Sequence, residues 1–422
     1  MTTASGAGPL PGPPDPLAEP SARVRGGWTA SLSLANAAIW IGWYGPIQIL
    51  LASQAAEYAA GHGMSKETML AWVTGAGAMV ALVANPVFGA LSDRTASRFG
   101  RRRPWTLAGA LLGALSLLLL GQARGLWTMV VAWCLVQLTL NAAFAAVTAA
   151  VPDRVPRLQR GTVGGWLGAA QILGVVAGTG LATLTGGVAA GYAACAACAA
   201  LGVLPYLRRP EAPLPAAARP AWSARGFLAG FLLDPRRHPD LAWAWLTRFL
   251  VNLANAVGLL YLLYFLRDAV GHRDPEQGVF VLTAINAAAL LATVVAGGAW
   301  SDRTGRRKPF VLGSGVLMAV ATALLAGWQT WPGAITAAVL LGIGFGIFTS
   351  VDFALMTDVL PEAAARGRDL GVINIANSLP QVLAPALAAP VVALGGYTSL
   401  FLAATVAALA GAVLVHRIRG VA

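Results

Sequence analysis

Charge is scarce in this chain of 422 residues: Asp, Glu, Lys and Arg together make up 11% of it, about half the share of an ordinary soluble domain. That scarcity excludes a soluble reading. Lysine is reduced to Lys66 and Lys308, beside abundant Arg, Ala and Gly, which points to a high-GC bacterium. There are three cysteines, Cys134, Cys195 and Cys198, and all fall in apolar stretches. Cys195-Ala-Ala-Cys198 has the spacing of a redox or zinc pair, but alanines surround it and no further ligands follow. It reads as small-residue packing material between membrane helices. No nucleophile–base pair and no metal constellation stands out, so neither an enzyme nor a cofactor is expected. No basic segment leads directly into a cleavable apolar stretch. Residues 1–27, rich in Pro, Gly and Ala, read as a disordered tail and not as a signal peptide.

What fills the chain is apolar: 57% of residues are hydrophobic. They form twelve stretches, each near the 20 residues a helix needs to cross a core of about 30 Å. The expected spans are 28–54, 69–91, 104–121, 126–151, 162–184, 187–207, 241–266, 278–300, 309–328, 333–357, 370–394 and 397–415. In lipid every backbone group must be bonded internally, and runs of this length do so as helices. The stretches divide into bundles at 28–207 and 241–415, with a linker at 208–240 and a short tail at 416–422. Within the linker, Trp222 to Leu233 is apolar enough to lie along the membrane surface as a short helix, or to graze it as passive linker.

Basic residues set the orientation. If alternate loops are assigned to opposite faces, 24 of the 29 Lys and Arg fall on the side of the termini. Four fall on the other: Lys66, Arg124, Arg267 and Arg273. Both termini are therefore expected in the cytoplasm, in a bacterial inner membrane. The net charge of +12 belongs to the inner face and does not call for a nucleic-acid partner.

A short motif occurs twice, about half the chain apart. Gly89-Ala-Leu-Ser-Asp93-Arg94-Thr95 is followed by Arg101-Arg102-Arg103-Pro104. Gly298-Ala-Trp-Ser-Asp302-Arg303-Thr304 runs directly into Gly305-Arg306-Arg307-Lys308-Pro309. A second pair follows the fourth and tenth stretches, Asp153-Arg-Val-Pro156 with Arg160-Gly161 and Asp358-Val-Leu-Pro361 with Arg366-Gly367. Gly165 and Gln171 then correspond to Gly371 and Asn377. Such duplication marks a membrane protein of two related halves. The motif resembles the cytoplasmic loops of the major facilitator superfamily. That resemblance implies an all-α polytopic membrane protein, with twelve transmembrane helices in two pseudo-symmetric six-helix bundles. It also implies that Asp93, Arg94, Asp302 and Arg303 are cytoplasmic gate residues, with Gly89 and Gly298 permitting close helix approach. The aspartates are expected beside helix amino termini, where the dipole and nearby arginines stabilise them.

Ser92 to Trp105 further resembles the glycoside–pentoside–hexuronide cation symporters and the sucrose-type proton symporters. The specific points are the spacing before Gly100 and the Arg-Arg-Pro ending. The melibiose permease branch binds sodium through acids inside helices 2 and 4; here those interiors contain none, which disfavours sodium.

Inside the spans, Asp352 is the one clear acid and Arg248 the one base. A buried ionisable group in lipid costs several kcal/mol unless paired. The two are expected to pair and to couple transport to protons; the alternative is that each snorkels to the inner surface. Carboxamides and tyrosines are the candidate substrate contacts: Asn36, Tyr44, Gln48, Gln137, Asn141, Gln171, Asn252, Asn255, Tyr261, Asn374, Asn377 and Gln381, with Tyr264 and Asn286 in the same set. Such groups donate and accept, which suits a polyhydroxylated neutral solute. Trp40 and Trp43 either line the same cavity or face lipid. The expected protein is a monomeric secondary transporter moving a sugar or glycoside with protons by alternating access. Drug efflux is the alternative within transport, although helix 5 lacks the Gly-Pro signature of those antiporters. A non-transporting receptor or scaffold on the same fold is the alternative outside it.

Overall fold

A computed structural model describes residues 20–211, 213–214, 239–304, 306–358 and 366–419. Leucine, alanine and valine runs close their backbone hydrogen bonds within each segment, and the described residues are helical nearly throughout. α1 is Gly26–Tyr58, α2 Lys66–Asp93, α3 Arg103–Gly121, α4 Leu126–Arg154, α5 Arg157–Leu184 and α6 Val188–Leu207. α7 is Pro239–Leu260, continued after a 46° bend by Leu262–Asp268. α8 is Pro275–Thr304, α9 Lys308–Gly327 and α10 Trp331–Asp358.

The final helical segment, Arg366–Leu414, spans 49 residues. At 1.5 Å per residue it would be more than twice as long as the membrane is thick. Gly395 and Gly396 break it, Gly396 at φ 66°, a region open to glycine. The two pieces, residues 366–394 and 397–414, are α11 and α12. With that break the described residues form twelve long helices, at the places the apolar runs predict. The ends differ by a few residues because polar caps extend the helices beyond their apolar cores. Ser65 Oγ, for example, accepts the Thr68 N–H and starts α2 three residues before the expected position.

Packing repeats between the halves. α1 lies against α5 and α6, α2 against α4, and α3 against α4 and α6; α7 lies against the 366–414 segment, α8 against α10, and α9 against α10 and the 366–414 segment. The two largest contacts between the bundles are those of α5 with α8 and of α2 with the 366–414 segment, where Gly75 lies near Pro385 of α11. If α2 corresponds to α8 and α11 to α5, these are one interface used twice. The α1–α5 seam is tight enough that a Cβ on Gly178 would lie 2.9 Å from the Gly45 nitrogen.

The outer faces are apolar, as lipid requires. α3 leaves Leu111, Leu112, Leu115, Leu118 and Leu119 exposed, a patch that would be a liability in water. Cys195 is buried and packs its sulfur 2.6 Å from where a Cβ on Gly45 would stand, the packing role its alanine neighbours predict. Most of the linker, including Trp222 to Leu233, and the tail before residue 20 lie outside the described residues.

Candidate functional site

Three neighbouring helices of the second half build a polar cluster inside apolar surroundings. Arg248, on the first half of α7, sets its Nη1 2.9 Å from Oδ2 of Asp352 on α10. Its Nε donates to Oδ1 of Asn377 on α11, at 2.8 Å. Asn252, one turn along α7, donates to the same Asn377 oxygen at 3.3 Å and to the Arg248 carbonyl at 2.9 Å. The two ionisable groups thus pair, as expected, and the predicted carboxamides Asn252 and Asn377 fix the guanidinium. Asp352 is buried, and its other oxygen, Oδ1, has no hydrogen-bond partner. An acceptor buried without a partner is costly, so this oxygen can take a proton or accept from a hydroxyl group.

The first half contributes a different surface. Trp40, Trp43 and Tyr44 on α1 and Phe144 on α4 form an aromatic cluster, with Trp43 and Phe144 centroids 5.4 Å apart and Trp40 and Tyr44 also 5.4 Å apart. The tryptophans therefore point into the bundle and not towards lipid. Both indole N–H groups are buried without partners. Asn36 lies one turn before Trp40; it donates to the Leu167 carbonyl of α5 at 2.9 Å, and its own Oδ1 is unpartnered. Gln137 and Asn141 bond to each other along α4, and Asn85 of α2 reaches Asn141 at 3.4 Å. These act first as helix–helix contacts. Gln48 is buried in the π-helical turn Pro46–Leu50, where Pro46 cannot donate and the helix widens. Gln171 and Asn255 are half-buried, and Gln381 is exposed on α11. The side chain of Asn374 lies outside the described residues. Asn286 donates to the Ala338 carbonyl, a link between α8 and α10.

Tyr261 and Tyr264 are not part of either surface. Both belong to a network at the face opposite the termini, which the amino-acid pattern alone does not reveal. Tyr261 Oη donates to the Glu67 carbonyl at 3.1 Å, and Tyr264 Oη to that of Ala52 at 2.7 Å. Lys66 of α2 pairs with Asp268 of α7 at 2.5 Å. Tyr397, at the start of α12, donates to Asp268 at 2.8 Å and to Glu67 at 3.2 Å. Ser53 of α1 donates to Glu276 of α8 at 3.0 Å. All of these bonds except that of Tyr397 to Asp268 join the first half to the second, so this face is closed.

The duplicated motif sits at the other face. α2 runs to Asp93, so the aspartate stands at a helix carboxyl end and not beside an amino terminus as expected. The dipole there is unfavourable to an anion. Arg102 compensates, with Nη2 2.5 Å from Asp93 and Nε 2.7 Å from Asp153, while Arg101 holds Asp153 at 2.5 Å. Arg94 is half-buried nearby. A Cβ on Gly89 would have nothing within 4 Å among the described residues. α8 carries Gly298, Asp302 and Arg303 in its last turns, and their surroundings lie outside the described residues.

Glu211, just past α6, completes this face. Its carboxylate accepts the backbone N–H groups of Arg101 and Arg102 at 2.9 Å and of Arg103 at 3.0 Å, where α3 begins. Those donors are free at a helix start, and an anion is favoured there. Gly100 makes room: its φ is 96°, and a Cβ would lie 2.4 Å from the Glu211 carboxyl carbon.

Comparison with known proteins follows the same lines. A family model described as Major Facilitator Superfamily matches residues 32–284 and 268–420. The general alpha-glucoside permease of Schizosaccharomyces pombe is 47% identical over 62 residues, which span 14% of this chain and only 11% of that protein. The nucleoside transporter NupG superposes with a TM-score of 0.71 at 14% identity, covering 93% of this chain and 98% of that one. A POT family transporter in complex with a thioalcohol-conjugated peptide gives 0.72 at 15% identity, covering 92% and 95%. The human organic anion transporter TETRAN gives 0.68 at 17%, covering 92% and 99%. At such identities the structural likeness is one of fold.

Proposed function

This chain belongs to the Major Facilitator Superfamily, and from that premise we propose that it is a monomeric proton-coupled symporter of a sugar or glycoside, working by alternating access. It resides in a bacterial inner membrane with both termini in the cytoplasm. The observation that carries the coupling is Asp352, buried, paired to Arg248 and left with one open oxygen. Burial favours the neutral acid, while a guanidinium at 2.9 Å favours the carboxylate. Any movement that separates α7 from α10 changes that balance, so proton occupancy follows conformation. Solute bound beside the pair biases the same equilibrium, which is what coupling requires. The aromatic cluster on α1 and α4 supports a sugar: ring faces suit its C–H surfaces, and unpaired indole N–H groups suit its hydroxyls. The partial likeness to an alpha-glucoside permease agrees with that class.

The test is transport in proteoliposomes, with maltose and sucrose as probes. Wild-type protein is expected to concentrate one of them when only a pH difference is imposed. Asp352→Asn is expected to lose accumulation and retain exchange. Accumulation by the variant at wild-type level would remove Asp352 from the coupling role. Flux of amphipathic drugs without sugar flux would favour the efflux reading, and no flux of any solute would favour a receptor.

A further inference from the structure

A cavity of about 520 Å³ opens at the terminal face, bounded by Trp28, the start of α3, the end of α4 and the segment after α6. Its charged lining is five arginines, Arg101, Arg102, Arg103, Arg154 and Arg209, against two carboxylates, Asp153 and Glu211. Neither carboxylate forms an ion pair with the last three arginines among the described residues. Asp153 is taken by Arg101 and Arg102, and Glu211 by three backbone N–H groups. Arg103 binds the Leu207 carbonyl through Nη2, and its Nε is buried with no partner. Arg154 binds the Pro210 carbonyl at 2.5 Å, and Arg209 the Gly27 carbonyl at 2.8 Å. Carbonyls satisfy N–H groups but cancel no net charge. Three guanidinium groups therefore line one concave space without an ion-pair partner among the described residues, and only the Glu211 carboxylate, itself held by neutral N–H groups, offsets their charge.

We propose that this cavity is a binding site for a phosphate-bearing anion, separate from the solute pathway. Guanidinium forks match phosphate oxygens two at a time, and the space is of the size that takes small ligands. A single carboxylate would leave most of the positive excess uncompensated, whereas a phosphate monoester brings close to two negative charges and three acceptor oxygens. The phosphate belongs either to a soluble ion or ester or to a lipid headgroup, since the cavity opens at the end of the bundle where the helices start and stop. Arg101 and Arg102 line the cavity and also hold Asp153 and Asp93, so a bound phosphate touches the motif loop directly.

Two arms distinguish the sources, both using the full chain. In detergent, thermal unfolding is followed with sodium pyrophosphate against sodium chloride at matched ionic strength. In nanodiscs, phosphatidic acid is compared with phosphatidylcholine, with retained lipid counted by native mass spectrometry. The wild type is expected to gain about 2–4 °C in one arm. Arg103→Gln and Arg209→Gln should each lose most of that gain, while Arg124→Gln on the opposite face keeps it. Arg209 is exposed and bonds one carbonyl, so its variant tests the site even if Arg103→Gln fails to fold. A gain from pyrophosphate assigns a soluble ligand, and a gain from phosphatidic acid alone assigns a headgroup. No gain in either arm, or the same gain in the Arg209 variant as in wild type, overturns the proposal.

Discussion

Removing Arg248 and removing Asp352 are not equivalent changes. Arg248→Leu would strand a buried carboxylate and leave the Asn377 oxygen with Asn252 as its remaining donor. Breaking a buried pair from one side costs about 3–5 kcal/mol. Asp352→Asn leaves Arg248 its bond to Asn377 and a neutral neighbour of the same shape. The melting temperature in detergent should therefore fall further for Arg248→Leu than for Asp352→Asn; equal losses would argue against a charged carboxylate at this site. Gly100 allows a second comparison. Gly100→Ala forces a side chain into positive φ and onto the Glu211 carboxyl group, at a cost on the order of 1–3 kcal/mol. Glu211→Gln keeps an acceptor for the Arg101 and Arg102 N–H groups and loses the charge and the acceptor of the Arg103 N–H. Thermal unfolding should show the glycine change to be the more damaging.

At the scale of elements, the closed face depends on α2, α7 and α12 meeting at Lys66, Asp268 and Tyr397. α7 bends at Tyr261, immediately before this contact, and the Tyr261 hydroxyl ties the bend to α2. A charge-assisted bond contributes about 1.5–3 kcal/mol, enough to change a two-state ratio by roughly ten- to a hundredfold. Lys66→Met or Tyr397→Phe should accordingly populate a state open at this face. Spin labels at the exposed positions Gly61 and Arg273, on a background with the three cysteines replaced, would report it as a longer distance component. An unchanged distribution in both variants would mean that apolar packing alone holds the face shut.

For the whole molecule, the closed network and the motif face stand at opposite ends of the same pathway. Polar contacts join the bundles around Glu67 and Asp268, while a Cβ on Gly89 would meet nothing within 4 Å among the described residues and Asp93 is engaged within its own bundle by Arg102. Alternating access requires the reverse arrangement in turn, with the motif face closing as the Lys66–Asp268 contact parts. Asp93→Asn should slow transport in proteoliposomes several-fold while leaving the melting temperature within a few degrees of wild type, since the aspartate is half exposed. Wild-type flux in this variant would reduce the motif to a topogenic loop.

Fold class was written in the sequence because it depends on one-dimensional quantities. Run length counts the membrane crossings, and the duplicated Asp-Arg motif identifies the two halves. The Gly395-Gly396 break falls where two apolar runs leave no room for a single crossing. Arg248 and Asp352 were also legible, since an ionisable group in an apolar run has few reasons to be there. Partner choice was not legible, because it depends on helix rotation and tilt, which composition leaves open. Tyr261 and Asn252 are alike as polar residues on α7, yet nine positions along the helix carry one to the closed face and leave the other beside Arg248. Asp93 shows the same limit: the motif marks it, but only the length of α2 and the position of Arg102 decide which charge it meets. Glu211 carried no local signal at all. Its role arises where α3 begins beside the ends of α4 and α6, and that meeting is a property of the packed bundle.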